Sequence, residues 1–138
     1  MEYRRICALD DALWGLETAY KEEIGEVVPT NQDRAYLEEA IEKERIRFYG
    51  AWDGESLLGM CSVTTGFSTF NFASCGVFED FYIRPQSRHK GIARELVRFA
   101  YRDSGISSLT VGCADCDLPM YEALGFSVHL GHLLAFDG

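Results

Sequence analysis

The chain has 138 residues, of which 47% are hydrophobic and 25% charged, and its formal net charge is −9. We expect one globular domain, residues 1–138, with enough apolar side chains to form a core without metal or disulfide support. The acidic charge argues against a general nucleic-acid binder, because neutralising phosphates needs a basic face. Five scattered cysteines, and the lack of a signal-peptide or membrane-spanning run, favour a cytoplasmic protein without a membrane partner.

The first half of the chain predicts a strand, two helices and two further strands. Apolar residues at helical intervals predict a helix over 10–24, with Asp10 or Asp11 as its N-cap, and a second helix over about 33–44. The stretch "IRFYGAWDGESLLGMCSV" then predicts two strands joined at Asp53-Gly54, a dipeptide that favours the positive φ angles of a hairpin turn.

The second half continues with strands and helices in alternation. The stretch "CGVFEDFYIRP" predicts a strand that ends at a proline, and an amphipathic helix follows from Gly91 to about Ser104. Residues 107–113 predict a short buried strand, and Asp117 is placed to cap a helix that runs to Leu124. The last stretch, "FSVHLGHLLAF", predicts a closing hairpin. The whole order, β-α-α-β-β-β-α-β-α-β-β, is typical of an α/β fold.

Positive charge is concentrated in one segment of this acidic chain. Residues 84–102 carry six arginine or lysine side chains against one glutamate, about +5, which leaves about −14 for the remainder. Arg94, Arg98 and Arg102 are spaced by four in the predicted helix. This pattern fits two interpretations, a site for a localised anionic partner and a solvated helix face, and the sequence leaves both open.

The hexamer "RHKGIA" (88–93) lies where the predicted strand gives way to the helix. A loop of small residues that opens onto a helix leaves backbone N–H groups unpaired, and the helix dipole adds positive potential, so such a loop favours an anion. One helix terminus contributes only about 0.3–1 kcal/mol, so several amides must act together with charged side chains such as Arg88 and Lys90. The hexamer matches neither the P-loop nor the dinucleotide-binding glycine pattern.

The hexamer does resemble the pyrophosphate loop, Q/R-x-x-G-x-G/A, of the GCN5-related N-acetyltransferase (GNAT) superfamily. It follows a strand, "FEDFYIRP", that is similar to the family's central strand, and "MYEALGF" (120–126) is similar to its second signature, a tyrosine-bearing helix that ends in Gly-Phe. The resemblance implies a GNAT fold: a central mixed, mostly antiparallel twisted sheet, splayed at the acetyl-CoA site and flanked by about four helices. It also implies an acetyl-CoA-dependent N-acetyltransferase without a metal.

The resemblance further implies how acetyl-CoA, the co-substrate, binds. The pantetheine would run along the backbone of Phe81 and Ile83 like an added strand, and a main-chain N–H near Ile83 would polarise the thioester carbonyl. The family often has an asparagine about seven residues before its tyrosine, contacting the pantetheine, and Ala114 stands there in this chain. The pyrophosphate would lie on the amides of consecutive loop residues, namely Arg88, His89, Lys90, Gly91, Ile92, Ala93 and Arg94.

Acetyl transfer to an amine needs a proton acceptor for the amine, whose pKa is about 10.4, and a proton donor for the departing thiolate. The resemblance implies Tyr121 as the donor, because it matches the family's tyrosine. Glu79 is the predicted acceptor, because strand alternation places it on one face with Phe81 and Ile83; Asp80, on the opposite face, is the alternative. The stretch "FEDFYIRP" is also similar to the polyamine-acetylating branch, in which the glutamate of this Glu-Asp pair is thought to act as base.

These features predict direct acetyl transfer to a primary amine of a small cationic acceptor such as a polyamine. The acidic Glu22, Glu23 and Glu26 at the end of the first helix favour a cationic acceptor. A peptide or protein amine, and a non-catalytic acyl-CoA-binding or regulatory module of the same fold, are the alternatives. Strand edges exposed at the C-terminal end would allow a homodimer.

A second pattern, Cys113-x2-Cys116 followed by His129-x2-His132, comes close to a zinc site. The histidine gap is shorter than the usual gap of about three to five residues, and "MYEALGF" between the two pairs already belongs to the acetyltransferase signature. We therefore predict no metal.

Overall fold

The computed structural model describes all 138 residues and contains five strands and four helices. In chain order they are β1 (Glu2–Ile6), α1 (Asp11–Glu23), α2 (Asn31–Glu42), β2 (Arg47–Asp53), β3 (Ser56–Ser68), β4 (Ala73–Ile83), α3 (Ile92–Asp103), β5 (Ser108–Thr110) and α4 (Leu118–Leu124). Short 3-10 turns at Pro85–Ser87 and Asp115–Asp117 precede α3 and α4. The predicted order is confirmed from the first strand to the last helix. No helix has the length and apolar character that a membrane crossing requires.

The five strands form one mixed sheet in the order β1-β2-β3-β4-β5. The first four strands pair antiparallel with their neighbours, and β5 pairs parallel with β4. The turn between β2 and β3 places Gly54 at a φ of 60°, the left-handed conformation on which the hairpin prediction depends. The predicted α/β class, with a mixed and mostly antiparallel sheet flanked by helices, is therefore confirmed.

Side-chain caps fix where the first two helices begin. Asp10 accepts a hydrogen bond at 2.9 Å from the backbone N–H of Leu13, so α1 begins at Asp11. Thr30 and Asp33 form a reciprocal capping box, with distances of 2.8 and 3.2 Å between each backbone N–H and its side-chain acceptor. The second helix therefore begins before the predicted residue 33, because Asp33 is the third residue of the helix and not its start.

The two faces of the sheet carry separate hydrophobic cores. On the helix-1 face, α1 and α2 pack against β-strand residues in a cluster of eight buried residues: Ile6, Leu13, Leu16, Ile41, Phe48, Leu57, Met60 and Tyr82. On the helix-3 face, α3 and α4 contribute to a cluster of twelve: Tyr49, Ala51, Cys61, Val63, Phe78, Ile83, Ile92, Leu96, Val97, Ala100, Ile106 and Tyr121. The predicted inward stripe of α3 is confirmed, since Ile92, Leu96 and Ala100 are all buried.

The C-terminal part of the chain differs from its prediction. No strand follows α4, so the predicted closing hairpin over 126–136 is wrong. Beyond Phe126, the large apolar residues of this stretch are exposed, for example Leu133 at 86% and Phe136 at 96%. β5 is also only three residues long and half-exposed, not buried. Alternating apolar residues favour a strand only where a neighbouring strand supplies hydrogen bonds, and here nothing pairs with the outer edge of β5.

Candidate active site

The candidate site begins where β4 and β5 separate. The two strands pair only between Cys75–Val77 and Ser108–Thr110, although β4 continues to Ile83. Beyond Val77 one edge of β4 is therefore without a strand partner, and we call this gap the β4–β5 opening. The sheet is splayed here, as the resemblance implies.

Hydrogen-bond geometry shows which way the β4 backbone points at the opening. The N–H of Arg84, directly after β4, donates to the carbonyl of Leu58 in β3 at 2.8 Å, so Arg84 and Leu58 form a hydrogen-bonded pair between the two strands. Antiparallel pairs alternate between hydrogen-bonded and non-hydrogen-bonded positions, so Phe81 and Ile83 occupy the non-hydrogen-bonded ones. Their N–H and C=O groups consequently point away from β3 and into the opening, where an extended chain could pair with them.

A β-bulge in β4 changes which side chains share a face. Glu79 and Asp80 both lie opposite Ser62, so β4 has one extra residue at this point. The Ser62 hydroxyl accepts a hydrogen bond from the Asp80 N–H at 2.9 Å and donates one to the Asp80 carboxylate at 2.5 Å. As a result, Phe78 and Phe81 share the helix-3 face although they are three positions apart, with ring centroids 5.7 Å from each other.

The bulge makes the predicted orientation of Glu79 wrong. Glu79 does not share a face with Phe81; its carboxylate accepts a hydrogen bond at 3.2 Å from the hydroxyl of Thr64, a residue of the helix-1 face. Asp80 lies on this same face, but whereas Glu79 is exposed, Asp80 is buried beneath α1 and only 8% exposed. The physical reason is that one extra residue in a strand reverses the alternation of its side chains.

The loop between β4 and α3 presents a row of unpaired backbone N–H groups. His89 and Gly91 adopt left-handed φ angles of 62° and 82°, and Gly91 is the N-cap residue of α3. The first hydrogen bond of the helix runs from the N–H of Glu95 to the carbonyl of Gly91 at 3.3 Å. The six N–H groups of residues 89–94 therefore have no backbone acceptor, and such a row of free amides at a helix N-terminus is suited to an anion.

Arg88 serves a different purpose from the one that the hexamer suggests. Its backbone N–H already donates to the carbonyl of Pro85 at 3.3 Å. Its guanidinium turns back from the loop, donating to the carbonyl of Ile83 at 2.8 Å and to the carboxylate of Glu23 at 2.6 Å. The side chain thus joins the end of β4 to the last turn of α1, and the row of free amides begins at His89.

Tyr121 lies on α4 with its ring in the core of the helix-3 face. The ring centroid is 6.3 Å from that of Phe78 and 5.9 Å from that of Phe126, both in edge-on geometry. α4 ends at Gly125 with a φ of 113°, a conformation open to glycine, and this turn brings Phe126 back onto the Tyr121 ring. Burial raises the pKa of Tyr121, and nearby negative charges add to the effect. The hydroxyl is therefore protonated at neutral pH, the state that a proton donor needs.

The structure also brings Glu17 and Lys21 of α1 to Asp80, a contact that the sequence did not indicate. The Lys21 ammonium lies 3.5 Å from the Glu17 carboxylate and 3.6 Å from the Asp80 carboxylate. Glu17 is 5% exposed, and its Oε2 atom has no hydrogen-bond partner. One signal was available: Glu17 lies four residues after Leu13 and three before Tyr20, within the apolar stripe of the helix, where an acidic residue is unexpected.

Burial controls the ionisation of this cluster. Burial, followed by the charge of Asp80, raises the pKa of Glu17 to about 8, while Lys21 acts in the opposite direction. Burial likewise raises the pKa values of Tyr20 and Cys61, and the charge of Asp80 adds to both. Asp80 is thus the charged group that couples electrostatically to the residues around it on α1 and β3.

The row of arginines on α3 borders a cavity. This cavity of about 610 Å³ lies between α3, β5 and the end of α4. Its lining is half hydrophobic: Arg94, Val97, Arg98, Tyr101, Arg102, Ser108, Leu109, Leu124, Gly125 and Phe126. A concave surface with an arginine rim and an apolar floor suits an anionic group on an apolar or aromatic body. Arg98 also pairs with Glu95 at 3.1 Å on the exposed surface of α3, so both interpretations of the row stay open.

The pattern that comes close to a zinc site does not gather into one. Cys113 and Cys116 are free, exposed thiols, and the nearest acidic contact of His129 is the Glu122 carboxylate at 3.3 Å. No group of three or more His, Cys, Asp or Glu side chains is placed to hold a metal ion.

These features agree with the protein family that the sequence matches. A model described as Acetyltransferase (GNAT) family matches residues 11–126, a range that contains the β4–β5 opening, the loop of free amides and Tyr121. The chain therefore belongs to the GNAT family of acetyltransferases, which use acetyl-CoA, and the predicted family is confirmed. Its place in the polyamine-acetylating branch stays a prediction.

Solved structures of acetyltransferases share the fold. One described as a probable acetyltransferase has a TM-score of 0.79 and 22% identity over 100% of both chains. An aminoglycoside acetyltransferase from an uncultured soil metagenomic sample, solved with sisomicin, has a TM-score of 0.76 and 14% identity over 99% of this chain and 95% of that one. A predicted acetyltransferase from Clostridium acetobutylicum, solved with acetyl-CoA, has a TM-score of 0.70 and 15% identity over 99% and 95%. A search of curated protein sequences gave no match.

Proposed function

We propose that the protein transfers the acetyl group of acetyl-CoA directly to a primary amine of a small cationic acceptor such as a polyamine. The observation that carries this proposal is the continuity of two features: the free amides of residues 89–94 lie next to the open β4 edge at Phe81 and Ile83. The first feature fits a pyrophosphate and the second fits an extended amide-bearing chain. A CoA thioester has both parts in this order.

The backbone of β4 would orient the thioester. An N–H group near Ile83 that points into the opening is placed to stabilise the negative charge that develops on the thioester oxygen during attack. Such a donor is effective because it is held by the sheet and needs no rearrangement during the reaction. The row of free amides would hold the pyrophosphate, and the cavity along α3 offers its arginine rim to further phosphate groups.

Two side chains are proposed to move protons. Tyr121, protonated at neutral pH because burial raises its pKa, would donate a proton to the departing thiolate. Glu79, exposed on the helix-1 face, would take the proton of the attacking amine, directly or through a water molecule. The donor has the protonation state that it needs, because the Tyr121 phenol is protonated at neutral pH.

Charge supports a cationic acceptor. The chain has a net charge of −9, and Glu17, Glu79 and Asp80 all lie on the helix-1 face next to the opening. A negative surface around a site attracts cations and raises the rate at which they bind. The aminoglycoside acetyltransferase solved in complex with sisomicin shares the fold, and its ligand is a small-molecule amine, which fits this acceptor class.

Two other functions use the same fold. A non-catalytic acyl-CoA-binding or regulatory module would need the amide row and the open strand edge but no proton donor, and the presence of Tyr121 favours the enzyme. An acetyltransferase for a peptide or protein amine would need the same chemistry with a more open acceptor site. Acetylation of a small amine and acetylation of a peptide give different products, so one assay of the acetylated product distinguishes these two acceptor classes.

The experiment is a mass-spectrometric assay of free CoA and acetylated product, with acetyl-CoA and a panel of polyamines, aminoglycosides, amino acids and short peptides. In Tyr121→Phe we expect kcat to fall by about 100-fold or more, because a positioned proton donor contributes about 10²–10⁴-fold. The folded stability should stay close to that of the wild type, because the ring and its aromatic contacts remain. Tyr36→Phe, on the exposed surface of α2, is the matched control. Saturable acetyl-CoA binding without any product would contradict the enzyme and support the binding module.

A further inference from the structure

Two carboxyl groups from different elements are buried together beneath α1. Glu17 of α1 and Asp80 of β4 are 5% and 8% exposed, although acidic residues are seldom buried without full compensation. The Asp80 carboxylate is satisfied by the Ser62 hydroxyl, whereas the Glu17 Oε2 atom is buried and has no hydrogen-bond partner. A buried carboxylate oxygen without a partner is costly, so this atom is a place for a proton.

The charges around the pair lead to the same conclusion. Lys21 is its sole cationic contact, at 3.5 and 3.6 Å, distances longer than a strong charged hydrogen bond. With both carboxyls ionised, two negative charges would face one positive charge in a buried site, and binding one proton removes the excess. Burial, followed by the charge of Asp80, accordingly raises the pKa of Glu17 to about 8.

The other titratable groups near the pair are neutral or acidic. The charge of Asp80 acts on Tyr20 of α1 on the helix-1 face and, across the sheet, on Cys61 of β3 and Tyr121 of α4, which belong to the helix-3 core. Glu79 is the neighbour of Asp80 in β4. None of them adds a positive charge. The proton is therefore shared between the two carboxyls, and its loss or uptake is a property of the pair rather than of one residue.

We propose that Glu17 and Asp80 form a single proton-accepting pair that, beside Glu79, receives the proton of the acceptor amine. In this step an N–H bond of the ammonium breaks and an O–H bond forms on the pair, which leaves the amine lone pair free to attack the thioester. Asp80 is the forward member, since it lies on β4, the strand that borders the opening, and Glu17 of α1 is the positioning residue behind it. The proton then leaves to solvent past Lys21, whose side chain is 32% exposed.

The chemical reason is a match of proton affinities. An ammonium with a pKa of about 10.4 gives up its proton reluctantly to an ordinary carboxylate, whose pKa is about 4. A carboxyl pair that titrates near neutral pH is a much better matched acceptor and is still regenerated by solvent at working pH. The exposed Glu79 has no such burial, so its contribution is to attract the cationic amine and to accept a proton through water.

This inference rests on the proposed acetyl transfer, and a pH profile tests it with the best amine from the panel. For the wild type we expect kcat and kcat/KM to rise with pH through a single ionisation near 8. In Glu17→Gln that ionisation should disappear, and the rate at pH 8.5 should fall by about 10²-fold, the size of a typical base effect. Glu38→Gln, an exposed glutamate on α2, is the control whose profile should match the wild type.

A titration that does not depend on turnover separates the two possible failures. In protein labelled with 13C at its carboxyl carbons, NMR should show one carboxyl titrating near pH 8, absent in Glu17→Gln and altered in Asp80→Asn. Turnover with an unchanged pH profile in Glu17→Gln, or a wild type whose carboxyls all titrate below about pH 6, would overturn the pair alone. If no amine is acetylated by a protein that binds acetyl-CoA, the proposed function fails and the proton-accepting role fails with it, whatever the titration shows.

Discussion

The two faces of β4 are built from different chemistry. The helix-3 face carries an aromatic cluster in which Phe78 contacts Phe81, Tyr121 and Phe126, with ring centroids between 5.3 and 6.3 Å apart. The helix-1 face carries, at the same height of the strand, a polar cluster with two buried carboxyl groups. One strand thus separates a cluster of uncharged aromatic rings from a cluster of carboxyl groups whose charge depends on pH.

The difference shows how one bulge lets a single strand contribute aromatic packing to one face and carboxyl groups to the other. Aromatic packing is worth about 0.5–1.5 kcal/mol per pair beyond the apolar area that it buries, so the helix-3 face holds α4 and the proposed proton donor, Tyr121, in place. Buried carboxyl groups contribute little to stability, and their presence is typical of a functional site. We therefore expect mutations on the helix-3 face to change stability and mutations on the helix-1 face to change the response to pH.

The largest effect should come from Phe78→Ala. Removing this ring leaves a cavity among three aromatic neighbours, and Phe→Ala changes in a core cost about 3–5 kcal/mol. Chemical denaturation should show this loss in the free energy of unfolding. Val77→Ala, next to it but 41% exposed, should cost less than about 1 kcal/mol. Equal losses in the two variants would contradict a division of the strand into stabilising and functional faces.

A smaller effect concerns stability and pH on the helix-1 face. The pKa of Glu17 is about 8 in the folded protein and about 4.5 when unfolded, so between these values the folded state binds more protons. The free energy of unfolding contributed by this group therefore falls as pH rises through that window. Between pH 6 and 9 we expect the wild type to lose on the order of 2 kcal/mol relative to Glu17→Gln, measured by denaturation at each pH. Parallel stability curves for the two proteins would show that Glu17 keeps its ordinary pKa.

The smallest effect should come from Arg88→Met, which cuts the connection between the helix-1 face and the end of β4. The Glu23 carboxylate and the Ile83 carbonyl would lose a shared donor, at a cost of about 1 kcal/mol because the pair is partly exposed. Acetyl-CoA affinity, measured by calorimetry, should fall several-fold because the loop that follows is less well held. Arg45→Met, an exposed arginine without an ion pair, should change neither value.

Much of the fold could be predicted because its signals are local. The Asp53-Gly54 turn, the stripe of α3 and the glycine that ends α4 each depend on residues within one turn of the chain. The prediction of a closing hairpin was wrong for the opposite reason. A strand needs a hydrogen-bonding partner strand, and the alternation of residues 126–130 says nothing about whether such a partner is present. The predicted start of α2, Asp33, lies two residues after the true start, Asn31, because the apolar stripe of this helix begins only at Tyr36 and gives no signal for the Thr30 cap.

The site residues also divide into those that local motifs predict and those whose positions depend on distant parts of the chain. The loop of free amides and Tyr121 follow from short motifs. The faces of Glu79 and Asp80 do not, because the bulge that sets them depends on Ser62, a residue of the neighbouring strand. Glu17 was missed for a related reason: only the packing of α1 on β4 shows that an acidic residue in an apolar stripe meets a second carboxyl group.

Arg88 offers a route for thermodynamic linkage between two ligands. One guanidinium contacts the carboxylate of Glu23 at the end of α1 and the carbonyl of Ile83 in the β4–β5 opening, and the amide row begins at the next residue. A ligand on the amide row and a ligand beside α1 would therefore be connected through one side chain. Linkage is reciprocal: if the co-substrate raises the affinity for the acceptor by some factor, the acceptor raises the affinity for the co-substrate by the same factor.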